Sequence, residues 1–384
     1  MIRSVLLLTS VLLTGCTSRM QYVKVSPDGK GFALASSGGP FTPWGFNYDR
    51  DYRFRLIDEY WQTEWATIEE DFREMKQLGA TVVRVHLQIG KFMDSADTVR
   101  PDALKHMVRL ADLAESTGLY LDITGLGCYR KSNVPAWYDA LSEKERWAVQ
   151  GRFWSAIAEA CADSPAIFCY DLMNEPIVPG GQRKAGEWMA GELEGLSYVQ
   201  FITLDQANRP RNQIAKDWVS MLAAAIRVHD SRHLITVGLL PNSYAGPGFT
   251  SGFVPQELIG PLDFICVHIY PKPIKHSKVA GIFSQTRPAD PDFSEDIKTL
   301  ERFVTGKPVV IEEIFPLNCS SKELVQFINQ TRSLVAGNIS FYWGQTPAEL
   351  KAANKLTEAV ILDWLEKFQT TRPGATDFSA GTSR

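Results

Sequence analysis

Short apolar runs alternate along this chain with longer stretches in which apolar residues recur every three or four positions. The short runs fall at 42–47, 81–87, 119–124, 167–175, 234–240, 264–270, 308–313 and 339–343. Each is nearly continuous in apolar residues, the pattern of a strand buried on both faces in a parallel sheet. The longer stretches read as amphipathic helices. Ile68, Phe72, Met75 and Leu78 share one helical face, and Gly79 follows as a stop. Pro101 opens the next helix, Leu104, Met107, Val108, Leu110 and Ala111 face inward, and Gly118 closes it. Further helices fit 143–162, 213–229, 293–304, 321–336 and 347–368, with only a short one near 256–259 in the fifth connection.

Eight strand–helix units without a second composition regime predict an α/β chain folded as one (β/α)8 TIM barrel. The rival is an open doubly wound sheet, which usually announces itself by Gly-x-Gly-x-x-Gly after the first strand; that motif is absent. The expected organisation is a leader over residues 1–16 and an N-terminal hairpin over 17–40 that plugs or wraps the barrel bottom. The barrel itself takes 41–368 with an insertion at 177–211, and 369–384 form a flexible tail.

Composition adds bounds. With 384 residues, 45% hydrophobic and 22% charged, the chain can bury a large core. A net charge of −4 with no basic block argues against nucleic acid as a partner. Cys128, Cys161, Cys169, Cys266 and Cys319 are scattered, with neither a disulfide framework nor zinc spacing, although one bridge among them stays open. Cys169 and Cys266 lie in predicted strands and read as small buried hydrophobes.

At the N-terminus, Arg3 precedes an apolar stretch from Val5 to Leu13, too short to span a bilayer. Leu13-Thr14-Gly15-Cys16 then resembles a bacterial lipobox. That resemblance implies an exported lipoprotein, held to the membrane by lipid on Cys16, with the folded domain in the periplasm or at the cell surface. An ordinary cleaved signal is the alternative.

Two predicted strands end abruptly in acids: Tyr170-Asp171-Leu172-Met173-Asn174-Glu175-Pro176 and Lys307-Pro308-Val309-Val310-Ile311-Glu312-Glu313. An acid there is costly to desolvate unless it has work to do. The C-terminal ends of barrel strands are where chemistry sits. Placing all strand ends on one rim collects Asn47, Arg84, His86, Asn174, Glu175, His268, Tyr270, Glu313 and Trp343. Two carboxylates facing across one site are the machinery of glycoside hydrolysis.

The ordered motifs Trp44-Gly45-Phe46-Asn47, Val83-Arg84-Val85-His86, Asn174-Glu175-Pro176, His268-Ile269-Tyr270-Pro271, Glu313 and Phe341-Tyr342-Trp343-Gly344 are similar to glycoside hydrolase family 5, the cellulase and β-mannanase family. The resemblance implies Glu175 as general acid/base and Glu313 as nucleophile of a retaining hydrolase that cleaves a β-linked glycan of the glucan or mannan type. It implies Arg84 and Tyr270 hydrogen-bonded to Glu313, Asn174 on the sugar 2-hydroxyl, His268 orienting the acid/base or sugar, and Trp343 flooring the cleaving subsite. Asn47 and His86 complete the substrate-binding set, His86 being equally readable as barrel packing. The partner is then a polysaccharide or oligosaccharide, with no obligate protein partner implied. No cofactor is expected, and no metal, since nothing like His-Glu-x-x-His is present.

Several residues have plainer readings. Glu312 competes with Glu313, but adjacent strand residues face opposite ways, which makes Glu312 an ion partner, either supporting the site residues from behind or facing the helices. Asp171 reads as a structural ion pair, and Trp61 and Trp65 as helix packing. Trp137 and Trp188, on predicted loops, are candidate sugar platforms. Thr124 stands where family members usually carry a histidine, which points to a divergent branch. A transglycosylase on surface glycans and a non-catalytic carbohydrate-binding lipoprotein are the competing functions.

Overall fold

The structure of the protein is a computed structural model that describes residues 20–193, 195–246, 248–274, 290–353 and 355–372. Cys16 with the rest of the leader, and the expected tail beyond residue 372, lie outside the described residues.

Three short antiparallel strands, β1 (Val23–Val25), β2 (Phe32–Leu34) and β3 (Pro40–Phe41), open the described chain. Eight strands then make one parallel sheet: β4 (Trp44–Tyr48), β5 (Val82–Gln88), β6 (Tyr120–Gly127), β7 (Ile167–Asn174), β11 (Leu234–Gly238), β12 (Ile265–His268), β13 (Val309–Glu313) and β14 (Gly337–Phe341). Between β7 and β11 a small sheet joins β8 (Pro176–Ile177), β9 (Met189–Leu193) and β10 (Leu196–Phe201). The large sheet runs in order β11-β7-β6-β5-β4-β14-β13-β12. Its ends meet through Asp263 N–H to Ile235 O and His268 N–H to Leu239 O, both 2.9 Å. The result is the (β/α)8 barrel that the apolar runs predicted, and every residue of its eight strands is buried.

Helices follow from local chemistry. Ser142 and Ser320 each cap a helix through a reciprocal box with the glutamate three residues on, satisfying backbone N–H groups that a helix start leaves orphaned. Gly118 ends the helix Pro101–Thr117 in the left-handed region (φ 69°), where a side chain would cost energy. The single helix expected over 347–368 is instead two, Pro347–Ala353 and Leu356–Thr371, because Lys355 is extended (φ −113°, ψ 154°) and starts the second one afresh. That helix runs past residue 368, three residues into the expected tail, and Phe368 stacks on both Trp44 and Phe46 of β4. No helix among the described residues is long and apolar enough to cross a membrane.

The lower half of the barrel is closed by apolar packing. Phe32 of the N-terminal sheet meets Phe168 and Phe264 edge-on, in a cluster with Val82, Val310 and Ile339 from the barrel strands. All five cysteines among the described residues are free, and Cys128, Cys161, Cys169 and Cys266 are buried.

Candidate active site

Each acid reaches the rim through a local break in regular strand geometry. Glu175 follows the last residue of β7 with φ at 46°, in the left-handed region that a non-glycine residue enters only when the surroundings enforce it. Its N–H is pinned to Gly238 O at 3.0 Å, and Pro176 next pairs with Gln200 of the insertion. On β13, the pairing register with β12 shifts between Val267 and His268, which face Ile311 and Glu313. The shift is a bulge, and it changes where the Glu-Glu doublet points.

Both glutamates consequently turn inward. Glu312 is the supporting ion partner and not a helix-facing one: it is fully buried in the barrel, 3.6 Å from Arg84 and 3.3 Å from His268, which bond Glu313 and Glu175. Strict alternation along the strand fails here because Glu312 is the extra residue of the bulge, between Ile311 and Glu313, which pair with β12. Glu313 stays at the cavity surface with 8% of its area exposed.

Arg84 is the hub. Its Nη1 donates to Asn47 Oδ1 and Glu313 Oε1, both 2.9 Å, and its Nη2 to Asp171 Oδ2 at 2.7 Å and Asn174 Oδ1 at 2.9 Å. A guanidinium can satisfy several acceptors in fixed directions, so one residue sets the positions of four side chains from three other strands. Asn47 in turn donates to the carbonyls of Glu312 and Ser340. Thr124 bonds Asp171 at 2.7 Å, and Asp171 accepts the Gly238 N–H at 2.7 Å. A Cβ on Gly238 would stand 3.0 Å from Glu312 Oε2 and from His268 Nε2, so only glycine admits this cluster.

Tyr270 donates to Glu313 Oε2 at 2.6 Å, and His268 Nδ1 meets Glu175 Oε1 at 2.8 Å. Burial works against a charge on His268, but Glu313 and the hydrogen bonds to Glu175 and Glu312 outweigh it and push its pKa up to about 10. It is therefore an imidazolium at neutral pH. One oxygen of Glu175, one of Glu313 and a ring nitrogen of His268 all lie within 4.8 Å of one another. A second cluster, Asp122, Asp171 and Glu312, is equally tight. Both could hold a metal ion by distance, yet each already has a cation among its carboxylates, His268 in one and Arg84 in the other.

Above this network opens a cavity of about 790 Å³, a volume suited to a small ligand. Of the nine rim residues read from the sequence, Glu175, Glu313, Tyr270 and Trp343 line it. Asn47, Arg84, Asn174 and His268 lie beneath, bonded to the two acids or to each other. His86 does not reach the surface: it is buried and hydrogen-bonded to Tyr129, the barrel-packing alternative. Trp343 stacks on Phe341 with centroids 5.6 Å apart, ring turned to the cavity.

Several lining residues were not read from the sequence. Asp49, the residue just past the end of β4, is pushed up to about 6, mostly by burial. Tyr198 and Leu193 come from the β9–β10 hairpin, whose Tyr198 carbonyl accepts from Asn174 Nδ2 at 3.0 Å. The mouth is aliphatic: Leu193, Leu317 and Leu356 are 58%, 62% and 83% exposed. The hairpin also bounds a second cavity, of about 670 Å³, on its other side. Trp188 is no platform. It is buried under the Arg146 guanidinium and bonds Asp139 O at 3.2 Å, and half-buried Trp137 packs against Tyr138. Trp61 and Trp65 are core, as their spacing indicated.

Comparison with known proteins fits this geometry. A family model for cellulase (glycosyl hydrolase family 5) matches residues 36–344. Among solved structures, the β-mannanase of the blue mussel Mytilus edulis aligns over 93% of this chain and 98% of its own, with 16% identity and a TM-score of 0.58. An exo-β-1,4-mannosidase from Opitutaceae bacterium strain TAV5 aligns over 91% of this chain and 61% of its own, with 15% identity and a TM-score of 0.60. A β-glucanase of Saccharophagus degradans in complex with cellotetraose aligns over 91% and 94%, with 14% identity and a TM-score of 0.53. No curated protein matches the chain. The structural likenesses are likenesses of fold; the family model, spanning most of the sequence and all eight strands, carries the identification. The chain belongs to glycosyl hydrolase family 5 and is a retaining glycoside hydrolase.

Proposed function

We propose that this enzyme cleaves β-glycosidic bonds in a β-linked glycan of the glucan or mannan type, with Glu313 as nucleophile and Glu175 as general acid/base. The observation that carries the assignment is the approach of their carboxylate oxygens to within 4.8 Å at the ends of β7 and β13. Retaining enzymes hold their carboxyl groups about 5–5.5 Å apart, whereas inverting ones leave about 6.5–9.5 Å for a water.

In this reading Glu313, aimed by Arg84 and Tyr270, attacks the anomeric carbon while Glu175 protonates the departing oxygen. Glu175 then takes a proton from the water that frees the sugar. His268 holds Glu175 in place throughout. Trp343 offers a ring face to the sugar, and Asn174 an amide near its 2-hydroxyl. Glucan and mannan both stay in the proposal because the neighbours of like fold act on either.

The same reading keeps the lipid anchor at Cys16 and an exported, membrane-attached enzyme. Labelling with a radioactive fatty acid should mark the full-length chain and not its Cys16→Ser variant.

The function is tested by sugar release from β-glucans and β-mannans, using a chain lacking residues 1–16. Proton NMR of the first product should show the β anomer. The Glu175→Ala variant should lose about 10²–10⁴-fold on natural substrates; on a dinitrophenyl glycoside, whose leaving group needs no proton, azide should attack the glycosyl-enzyme, restore turnover and give the β-glycosyl azide. Release of the α anomer first, or equal activity in the variant, would remove the assignment.

A further inference from the structure

Asp122 sits on β6, opposite Arg84 on β5 and Cys169 on β7, with none of its surface exposed. Its carboxylate lies with those of Asp171 and Glu312 inside one 4.8 Å cluster. Arg84 does not serve it, because both terminal nitrogens of that guanidinium are committed to Asn47, Glu313, Asp171 and Asn174. No nitrogen or oxygen donor reaches either oxygen of Asp122, beside which stands only the weak thiol donor of Cys169, and Oε1 of Glu312 is also without one.

Two anions placed this way in a dry core would repel each other and leave three oxygens unsatisfied, a costly arrangement. One proton between them removes the repulsion and satisfies two of the three oxygens, as in carboxyl pairs that share a site. Which acid carries it follows from the neighbours. Glu312 Oε2 faces the His268 imidazolium at 3.3 Å and Arg84 at 3.6 Å, so Glu312 is the anion. Asp122 faces only the neutral thiols of Cys169 and Cys266 nearby, besides Glu312, Asp171 and the distal charge of Arg84. Burial and the charge on Glu312 hold the Asp122 carboxyl well above the usual range. Glu312, despite burial, is brought down to about 2 by Arg84 and His268.

We propose that Asp122 is a neutral carboxylic acid in the working enzyme, donating to Glu312 at the foot of a chain Asp122–Glu312–His268–Glu175 that positions the acid/base. Asp122 is then a positioning residue: it touches no substrate, and acts by fixing the anion that fixes His268, which in turn bonds Glu175 at 2.8 Å. Its kinetic consequence rests on the role proposed for Glu175; its protonation does not.

The test has two arms. Infrared spectra of wild type and Asp122→Asn at neutral pH should differ by the carbonyl stretch of one protonated carboxyl group, present in wild type and lost in the variant. Absence of that band in wild type overturns the proposal, whatever the enzyme does to glycosides. In the kinetic arm, Asp122→Asn keeps a neutral donor for Glu312 and should hold kcat within about threefold, whereas Asp122→Ala should lower kcat by about 10- to 100-fold with KM little changed. Measured as kcat/KM, which reports the first, bond-breaking step, the Asp122→Ala defect should shrink on dinitrophenyl glycosides, whose leaving group needs no proton. An equal defect on both substrate types overturns the positioning role. So does loss of activity in Asp122→Asn that a divalent metal or its chelation modulates, since a cation would then occupy the cluster. If Asp122→Ala does not fold, the infrared band and the Asn variant still decide. Failure of wild type on every glycoside would sink the proposed function instead.

Discussion

The barrel interior has two halves that differ by a single step along the same strands. Below stand Val82, Tyr120, Cys169, Cys266 and Val310; two residues further on, at the same inward parity, stand Arg84, Asp122, Asp171, His268 and Glu312. The lower layer is sealed by Phe32 and packs like any core. The upper layer is just as dry, yet it carries five ionisable groups locked to one another. Burial alone therefore does not separate structure from chemistry in this molecule. What separates them is buried charge: the upper layer sets the cations of Arg84 and His268 against Asp171 and Glu312 within itself, and leaves Asp122 outside those pairings.

Substitutions in the two layers should part stability from activity. Arg84→Met leaves several buried acids without their cation and should cost about 3–5 kcal/mol of stability and nearly all activity. Chemical denaturation and initial rates on one glycan would measure both. Phe32→Ala should cost a similar amount, about 3–5 kcal/mol, by opening a cavity in the plug, with kcat unchanged at a temperature where the variant stays folded. If Phe32→Ala also abolished turnover, the two layers would not be separable.

A smaller effect is expected from Tyr270→Phe. The hydrogen bond lost is to a charged acceptor, worth about 1.5–3 kcal/mol, so kcat/KM should fall about 10- to 100-fold. Unchanged kcat/KM would mean that Arg84 alone positions the nucleophile.

The smallest effect is on thermal stability against pH. Burial lifts both Asp58 and Asp71 to about 7 in the folded state. A raised carboxyl favours the folded state below its unfolded pKa of about 3.8, and that contribution is lost as pH rises through its folded value. Melting temperature should therefore decline between about pH 4 and pH 7. A profile rising over that interval would contradict the assignment of these two groups.

Legibility in the sequence followed the same divide. The eight barrel strands stood out because burial on both faces leaves continuous apolar runs, and the rim acids because they end those runs so sharply. The β9–β10 hairpin gave no such signal: Met-Ala-Gly-Glu-Leu is mostly exposed and lacks alternation, so its role as a cavity wall emerges only from pairing with Pro176 and Ile177. That Glu312 and Glu313 both turn inward was hidden by a bulge that no residue type announces. Trp188 looked like a platform because its loop was long, but Arg146, far along the chain, covers it. Local pattern reveals what a strand buries and says little about what a distant segment will lay over it.

The claim on which the rest depends is that Glu313, not its neighbour Glu312, forms the covalent bond to sugar. A 2-deoxy-2-fluoro β-glycoside with a good leaving group should trap that intermediate, and peptide mass spectrometry would locate it. The predicted result is one sugar per chain, attached at Glu313. Attachment at Glu312, or steady turnover of the same compound with inversion and no adduct, would contradict the account.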